Sequence, residues 1–203
     1  LTDIVATKAF RIGQRLKKYI HETIDGRMTM DPDDAGAIAS CVAMCSGHHI
    51  EVGVLHGGSL ILAALIKQIA GQTGKCYGVD PFGWFEGQTQ AGPEPSPFIV
   101  LANAKKFGVE VHPHKCHHPP LPDELARLEF DTAFIDGDHS YAAARADWEY
   151  LKNRVRRYVL FHDIQKHDAR HGADDVFREA AAESEWEIIY LKHKTGVLER
   201  VGS

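Results

Sequence analysis

What most limits the folds open to this chain is its alternation of short apolar runs with longer amphipathic ones. The runs at 49–53, 75–80, 109–116, 131–136 and 158–162 read as strands. Helical stretches are expected over 9–21, 32–45, 59–70, 98–107, 123–128, 142–153 and 173–183. Strands separated by helices join through crossovers, which makes a parallel sheet with helices on both faces. The last two strands, 186–192 and 196–201, are linked too tightly for a crossover and must pair antiparallel. The expected fold is α/β and doubly wound: a seven-stranded sheet, mostly parallel, with one antiparallel strand near the C-terminus. A single domain over 1–203 holds it, with N-terminal helices to about residue 47 ahead of the first strand.

Composition removes several function classes. The net charge is −5, which argues against a nucleic-acid or anionic-membrane surface as the main partner. The one dense basic run, from Lys152 to Arg157, is expected at a helix end, where cations complement the dipole. No apolar run reaches the ~18 residues of a membrane span. The N-terminus, beginning at Leu1, has no signal-peptide pattern. Cys41, Cys45, Cys76 and Cys116 form no Cys-x-x-Cys pair and read as reduced thiols of a cytoplasmic protein.

The first strand runs into Glu51-Val52-Gly53-Val54-Leu55-His56-Gly57-Gly58-Ser59. Glycines here let a ligand approach the backbone, and the next helix start favours an anionic group. A dinucleotide fingerprint needs Gly-x-Gly-x-x-Gly, and Leu55 stands where its second Gly belongs. That disfavours a nicotinamide-dependent oxidoreductase. A phosphate loop fails as well, because no Gly-Lys-Ser/Thr is present. What remains is Glu-x-Gly-x-x-x-Gly-x-Ser, with Asp80 ending the second strand.

These residues resemble the first motifs of class I S-adenosylmethionine-dependent methyltransferases, whose sheet is Rossmann-like. The resemblance implies that Glu51, Gly53, Gly57 and Ser59 surround the methionine moiety and that Asp80 binds the ribose hydroxyls. It places adenine after the third strand, beside Cys116 or His117. The Ser59 hydroxyl and backbone N–H groups suit the cofactor carboxylate, and a carboxylate suits two vicinal hydroxyls.

The fourth strand ends in Phe134-Ile135-Asp136-Gly137-Asp138-His139, and the fifth in Phe161-His162-Asp163. Asp-Gly is a common turn, so a solvated loop is one reading. The other is a site where an open sheet binds ligands, at the carboxyl ends of its strands. The pattern is similar to that of metal-dependent O-methyltransferases of the catechol and antibiotic-sugar types. That resemblance implies a metal held by Asp136, His162 and Asp163, with Asp136 also on the cofactor side, and His139 as general base. Mg²⁺ is the leading ion for oxygen ligands. His162 replaces the usual acid and admits Mn²⁺, Fe²⁺ or Zn²⁺.

The expected function is therefore methyl transfer from S-adenosylmethionine to a hydroxyl of a small molecule. A homo-oligomer is compatible with this. The alternatives are a metal-independent, N-directed methyltransferase and a non-catalytic S-adenosylmethionine-binding module, which has no need of Asp136, His139 and Asp163 together. A zinc reading of His112, His114 and Cys116 is weaker, because the third strand is expected inside the sheet. Cys41 and Cys45 read as core, and His48 and His49 as surface. Trp84, Phe85 and Glu86, in the long 81–97 connection, are candidates to cover the methyl donor or touch substrate. His167 and His171 are candidates on the substrate side.

Overall fold

The computed structural model describes residues 3–84, 90, 92–164 and 172–202. Phe85, Glu86, His167 and His171 lie outside the described residues. Seven strands form one sheet: β1 (His49–Val52), β2 (Cys76–Asp80), β3 (His112–Lys115), β4 (Phe130–Ile135), β5 (Val155–Phe161), β6 (Trp186–Lys192) and β7 (Thr195–Arg200). Their order is β3-β2-β1-β4-β5-β7-β6. β1 through β5 pair in parallel, and β7 runs antiparallel to both β5 and β6. The order reverses between β1 and β4, so a crevice opens there at the carboxyl ends of the strands.

The helices are α1 (Lys8–Thr23), α2 (Pro32–Ala43), α3 (Gly58–Ile69), α4 (Pro97–Lys106), α5 (Asp123–Ala126), α6 (Tyr141–Leu151) and α7 (Ala173–Ala181). Local chemistry explains their starts. The Thr7 hydroxyl accepts from Phe10 N–H at 3.0 Å, and the Ser140 hydroxyl caps α6. Pro32 fills the first turn of α2, where an N–H would be unpaired, and the Asp34 carboxylate accepts from Asp31 N–H at 2.8 Å. Strand alternation divides the core. Ile50, Val52 and Phe161 pack with Trp148 of α6 and Phe177 of α7. Phe134 and Leu160 pack on the other face with Ile38 of α2 and Leu60 of α3.

Three expectations need correction. β3 is an edge strand, not an interior one. Its histidines are engaged locally: His112 with Glu110 at 3.2 Å, His114 with Glu124 at 2.8 Å, both beside the Tyr77 ring. Among the described residues, the group with metal-donor spacing lies elsewhere. The basic run is not a helix end alone, because α6 stops at Leu151 and β5 begins at Val155. Arg156 and Arg157 therefore belong to β5, paired with Glu129 and Glu199. Finally, His49 is fully buried rather than at the surface; its ring bonds Thr132 and Glu51. Cys41 and Cys45 are core, as expected.

Candidate active site

One cleft of about 660 Å³ lies over the carboxyl ends of β1, β2, β4 and β5. That is the size of a cofactor-plus-substrate site. Its floor is the turn after β1. Gly53 has φ of 86°, a conformation that L side chains rarely adopt, and a Cβ there would stand 2.1 Å from the Asp136 carbonyl oxygen. The glycine thus seats the first turn directly on the end of β4. Leu55 also has positive φ, at 51°. Its strained turn is held by Asp80, whose Oδ2 accepts from Val54 N–H at 2.7 Å and Leu55 N–H at 3.0 Å.

Asp80 Oδ1 accepts from Phe82 N–H at 2.6 Å. A carboxylate offers about four lone-pair sites, so one remains for a ligand hydroxyl. Asp80 lines the cleft as expected, but it is a structural clamp as much as a ligand group. Asp80→Ala should lower stability by roughly 3 kcal/mol, because buried N–H groups lose a charged acceptor. Chemical denaturation checks this; a loss below about 1 kcal/mol would mean that the clamp is not needed.

Ser59 lines the cleft and donates its hydroxyl proton to Glu51 Oε2 at 2.8 Å. Glu51 is fully buried, so it supports Ser59 from beneath and is not part of the cleft wall. Burial raises the Glu51 pKa, only partly opposed by His49 and Ser59. A hydroxyl has a single proton to donate. What Ser59 presents to the cleft is therefore an acceptor. Gly57 shapes the start of α3 at φ 85° without lining the cleft, and Cys116 lines it from the β3 side. Burial raises the Cys116 thiol pKa.

At the other end of the cleft, β4 and β5 deliver two carboxylates and two imidazoles. His139 lies 3.3 Å from Asp136 Oδ1 through Nε2 and 3.3 Å from Asp163 Oδ2 through Nδ1. His162 Nδ1 lies 2.9 Å from Asp136 Oδ1 and 3.6 Å from Asp163 Oδ2. Asp163 takes φ of 51°, in the left-handed region, and its carboxylate also lies 3.4 Å from Lys194 Nζ. Burial works against ionisation of every member of this cluster, and mutual charge overrides it. Asp136 and Asp163 are held below the usual carboxylate range by the histidines. The His139 pKa is raised by Asp136 and Asp163. The His162 pKa is pushed up to about 12 by Asp136, Asp163 and Asp34.

This donor set fits a divalent cation. Asp136, His139 and Asp163 bring ligand atoms within 4.8 Å of one another, a group that includes His139 where His162 was expected. His162 fits too, because both its ring nitrogens are buried and make no aligned hydrogen bond. Its Nδ1 lies near one oxygen of each carboxylate. The two carboxylates are common to either set. They differ in exposure: the His139 side chain is 24% exposed and that of His162 only 5%.

Several wall residues had no sequence signal of their own. Arg27, Met28, Thr29 and Met30, between α1 and α2, line the cleft. Asn103 of α4 clamps this connection, bonding Asp25 N–H, Asp25 carbonyl and His56 carbonyl. His56 accepts from Arg27 N–H at 3.3 Å through Nδ1 and bonds the Pro93 carbonyl through Nε2. Trp84 packs edge-on against it. Asp34, buried in α2, stands 3.5 Å from His162 Nε2. Its helix-start pattern hid this second role. His118 and Asp147 form a buried pair at 2.6 Å on the β3 side. Only the fold brings these elements together.

Comparison with known proteins fits this geometry. A family model described as a methyltransferase domain matches residues 50–164. No curated protein matches the chain. Among solved structures, the O-methyltransferase NovP shares 17% identity, with a TM-score of 0.58 over 78% of this chain and 77% of that one. CalS11, a TDP-rhamnose 3'-O-methyltransferase of calicheamicin biosynthesis, shares 16%, with a TM-score of 0.62 over 82% and 76%. An O-methyltransferase from Bacillus cereus, solved in complex with SAH, shares 14%, with a TM-score of 0.54 over 95% and 99%. At such identities the likeness is one of fold. The family match runs from β1 to the end of β5 and takes in Gly53, Asp80, Asp136 and Asp163, so the chain belongs to the methyltransferase domain family.

Proposed function

We propose that this protein transfers a methyl group from S-adenosylmethionine to a hydroxyl of a small molecule, with His139 as general base. The observation that carries this reading is one cleft with two unlike ends. The Gly53–Ser59 turn and Asp80 form one end, and Asp136, His139 and Asp163 form the other. The first end has room for a ligand without pyrophosphate and one remaining acceptor site on Asp80 for a ribose hydroxyl. The second has a base beside the place of an acceptor oxygen.

Methyl transfer from a sulfonium is an in-line displacement, and a hydroxyl attacks well only as it loses its proton. His139 is open to the cleft and carries the titrating group suited to take that proton. Asp136 and Asp163 stabilise the imidazolium that results. A divalent cation held by Asp136, Asp163 and His162 would lower the pKa of the acceptor hydroxyl. Mg²⁺ suits the oxygen donors, and an imidazole donor widens the choice to Mn²⁺, Fe²⁺ or Zn²⁺.

A second arrangement, with His139 as the third ligand, is favoured by its 4.8 Å grouping with the two carboxylates. Mn²⁺ titration followed by electron paramagnetic resonance separates the two. Asp136→Asn and Asp163→Asn should each weaken Mn²⁺ binding at least tenfold. His162→Ala should do the same in the first arrangement, and His139→Ala in the second. Full turnover after chelator treatment would remove the cation from the reading and leave a metal-independent transferase.

Calorimetry tests the cofactor. S-adenosylhomocysteine should bind in the low micromolar range or tighter, roughly −8 kcal/mol. No heat of binding to the intact protein would sink the central claim.

A further inference from the structure

Asp34 is a buried carboxylate that takes no part in the methyl transfer proposed for this cleft. It is the third residue of α2 and is fully buried, which is rare for an aspartate that lacks a partner. Its neighbour Asp33 takes the outward position, accepting from Gln14 Nε2 at 2.6 Å and Lys192 Nζ at 2.6 Å. Asp34 turns toward the sheet instead. Its Oδ2 accepts from Asp31 N–H at 2.8 Å, and its Oδ1 is buried with no hydrogen-bond partner among the described residues.

This acid lies behind His162. The His162 backbone N–H donates to the Ile135 carbonyl at 3.0 Å, and the ring stands edge-on to Phe134, with centroids 5.9 Å apart. Nδ1 faces the cluster, 2.9 Å from Asp136 Oδ1, while Nε2 lies 3.5 Å from Asp34 Oδ2. Nε2 also makes no aligned hydrogen bond among the described residues. A buried donor and a buried acceptor left apart are costly, and each of these groups supplies what the other lacks.

We infer that Asp34 is a positioning residue for His162: it accepts the Nε2–H hydrogen bond and so leaves the Nδ1 lone pair for a divalent cation shared with Asp136 and Asp163. This rests on the cation reading above. It decides between the two arrangements given there, with His162 as the third ligand and His139 left free as base. A histidine that binds a metal through one nitrogen donates its other N–H to a carboxylate or carbonyl, which fixes the tautomer and the ring orientation. A neutral imidazole adds no negative charge to the two carboxylates. Asp34 behind it does, and makes Nδ1 the stronger donor.

Mn²⁺ binding to the full chain, followed by electron paramagnetic resonance, reads this without turnover. Asp34→Asn keeps the volume and an acceptor for Asp31 N–H. Its one oxygen cannot serve both Asp31 and His162, so an amide N–H faces the ring and drives the ring proton to Nδ1. Mn²⁺ affinity should fall about 10- to 100-fold, the usual loss when such a partner is removed. Asp31→Ala removes the other half of the capping box and touches no ring, so it should bind Mn²⁺ as the wild type does. In a His162→Ala background, Asp34→Asn should weaken binding no further, because the effect passes through the ring. Nitrogen-15 spectra of histidine-labelled protein with Zn²⁺ give the tautomer. His162 should keep its proton on Nε2 and show a coordinated Nδ1, and Asp34→Asn should lose that pattern.

Unchanged Mn²⁺ affinity in Asp34→Asn would overturn the assignment. So would an equal loss in Asp31→Ala or in the His162→Ala background, either of which would reduce Asp34 to a helix-start residue. A Zn²⁺ shift on His139 and none on His162 would overturn it by selecting the other arrangement. If the wild type binds neither ion, the cation reading itself falls, and the inference with it.

Discussion

Replacing His139 with alanine is expected to lower kcat by about 10²–10⁴-fold, the usual contribution of a positioned acid–base group. Cofactor affinity should hardly change, because His139 stands at the Asp136–Asp163 end of the cleft rather than at the Asp80 end. The pH profile carries a second signature. The imidazole must be neutral to accept a proton. Burial lowers its pKa, but Asp136 and Asp163 more than offset this and raise it. The rate should therefore rise with pH through a value above the ordinary ~6.5 of histidine, and that limb should vanish in His139→Ala. A bound cation works in the opposite sense, so the limb should move to lower pH when cation is added. Near wild-type turnover in the variant, with chemistry shown to be rate-limiting, would return His139 to a helix-start residue.

Gly53→Ala is expected to be the most damaging single change in the cofactor turn. Two costs combine. The backbone sits at φ 86°, where an L side chain is disfavoured by about 1–2 kcal/mol. The added Cβ would also stand 2.1 Å from the Asp136 carbonyl oxygen and 2.8 Å from Gly137 Cα, both rigid backbone at the end of β4. Overpacking of this kind adds typically 1–3 kcal/mol. A stability loss of roughly 2–5 kcal/mol follows, together with loss of S-adenosylhomocysteine binding. Because the collision is with the segment that carries Asp136, Mn²⁺ binding should fall as well. Denaturation and both titrations on one preparation would check this. A variant that keeps wild-type Mn²⁺ affinity while losing the cofactor would show that the two ends of the cleft are not coupled through this contact.

The order of elements was legible because strand and helix periodicities are local. The tight link between 192 and 195 forces the antiparallel pair wherever the strands sit. The strand-end residues were legible for a related reason. In a doubly wound sheet the carboxyl ends of the parallel strands share one edge, so Asp80, Asp136, His139, His162 and Asp163 meet there without any long-range information. Roles that depend on one proton or one direction were not legible. The sequence contains Ser59 and Glu51, but only their 2.8 Å contact decides that the hydroxyl donates inward. It contains Asp80, but only the fold commits three of its acceptor sites to backbone N–H groups.

The edge position of β3, the burial of His49 and the membership of Arg156 and Arg157 in β5 were likewise out of reach. Each is a matter of which neighbour covers a residue, not of its own pattern. The chain's local chemistry thus determined the architecture and the acidic–imidazole end of the cleft, since periodicity, capping and strand-end polarity act over a few residues. The tertiary structure alone decided that the 26–30 connection closes over the glycine turn, because that contact joins segments nearly thirty residues apart through His56 and nearly eighty apart through Asn103.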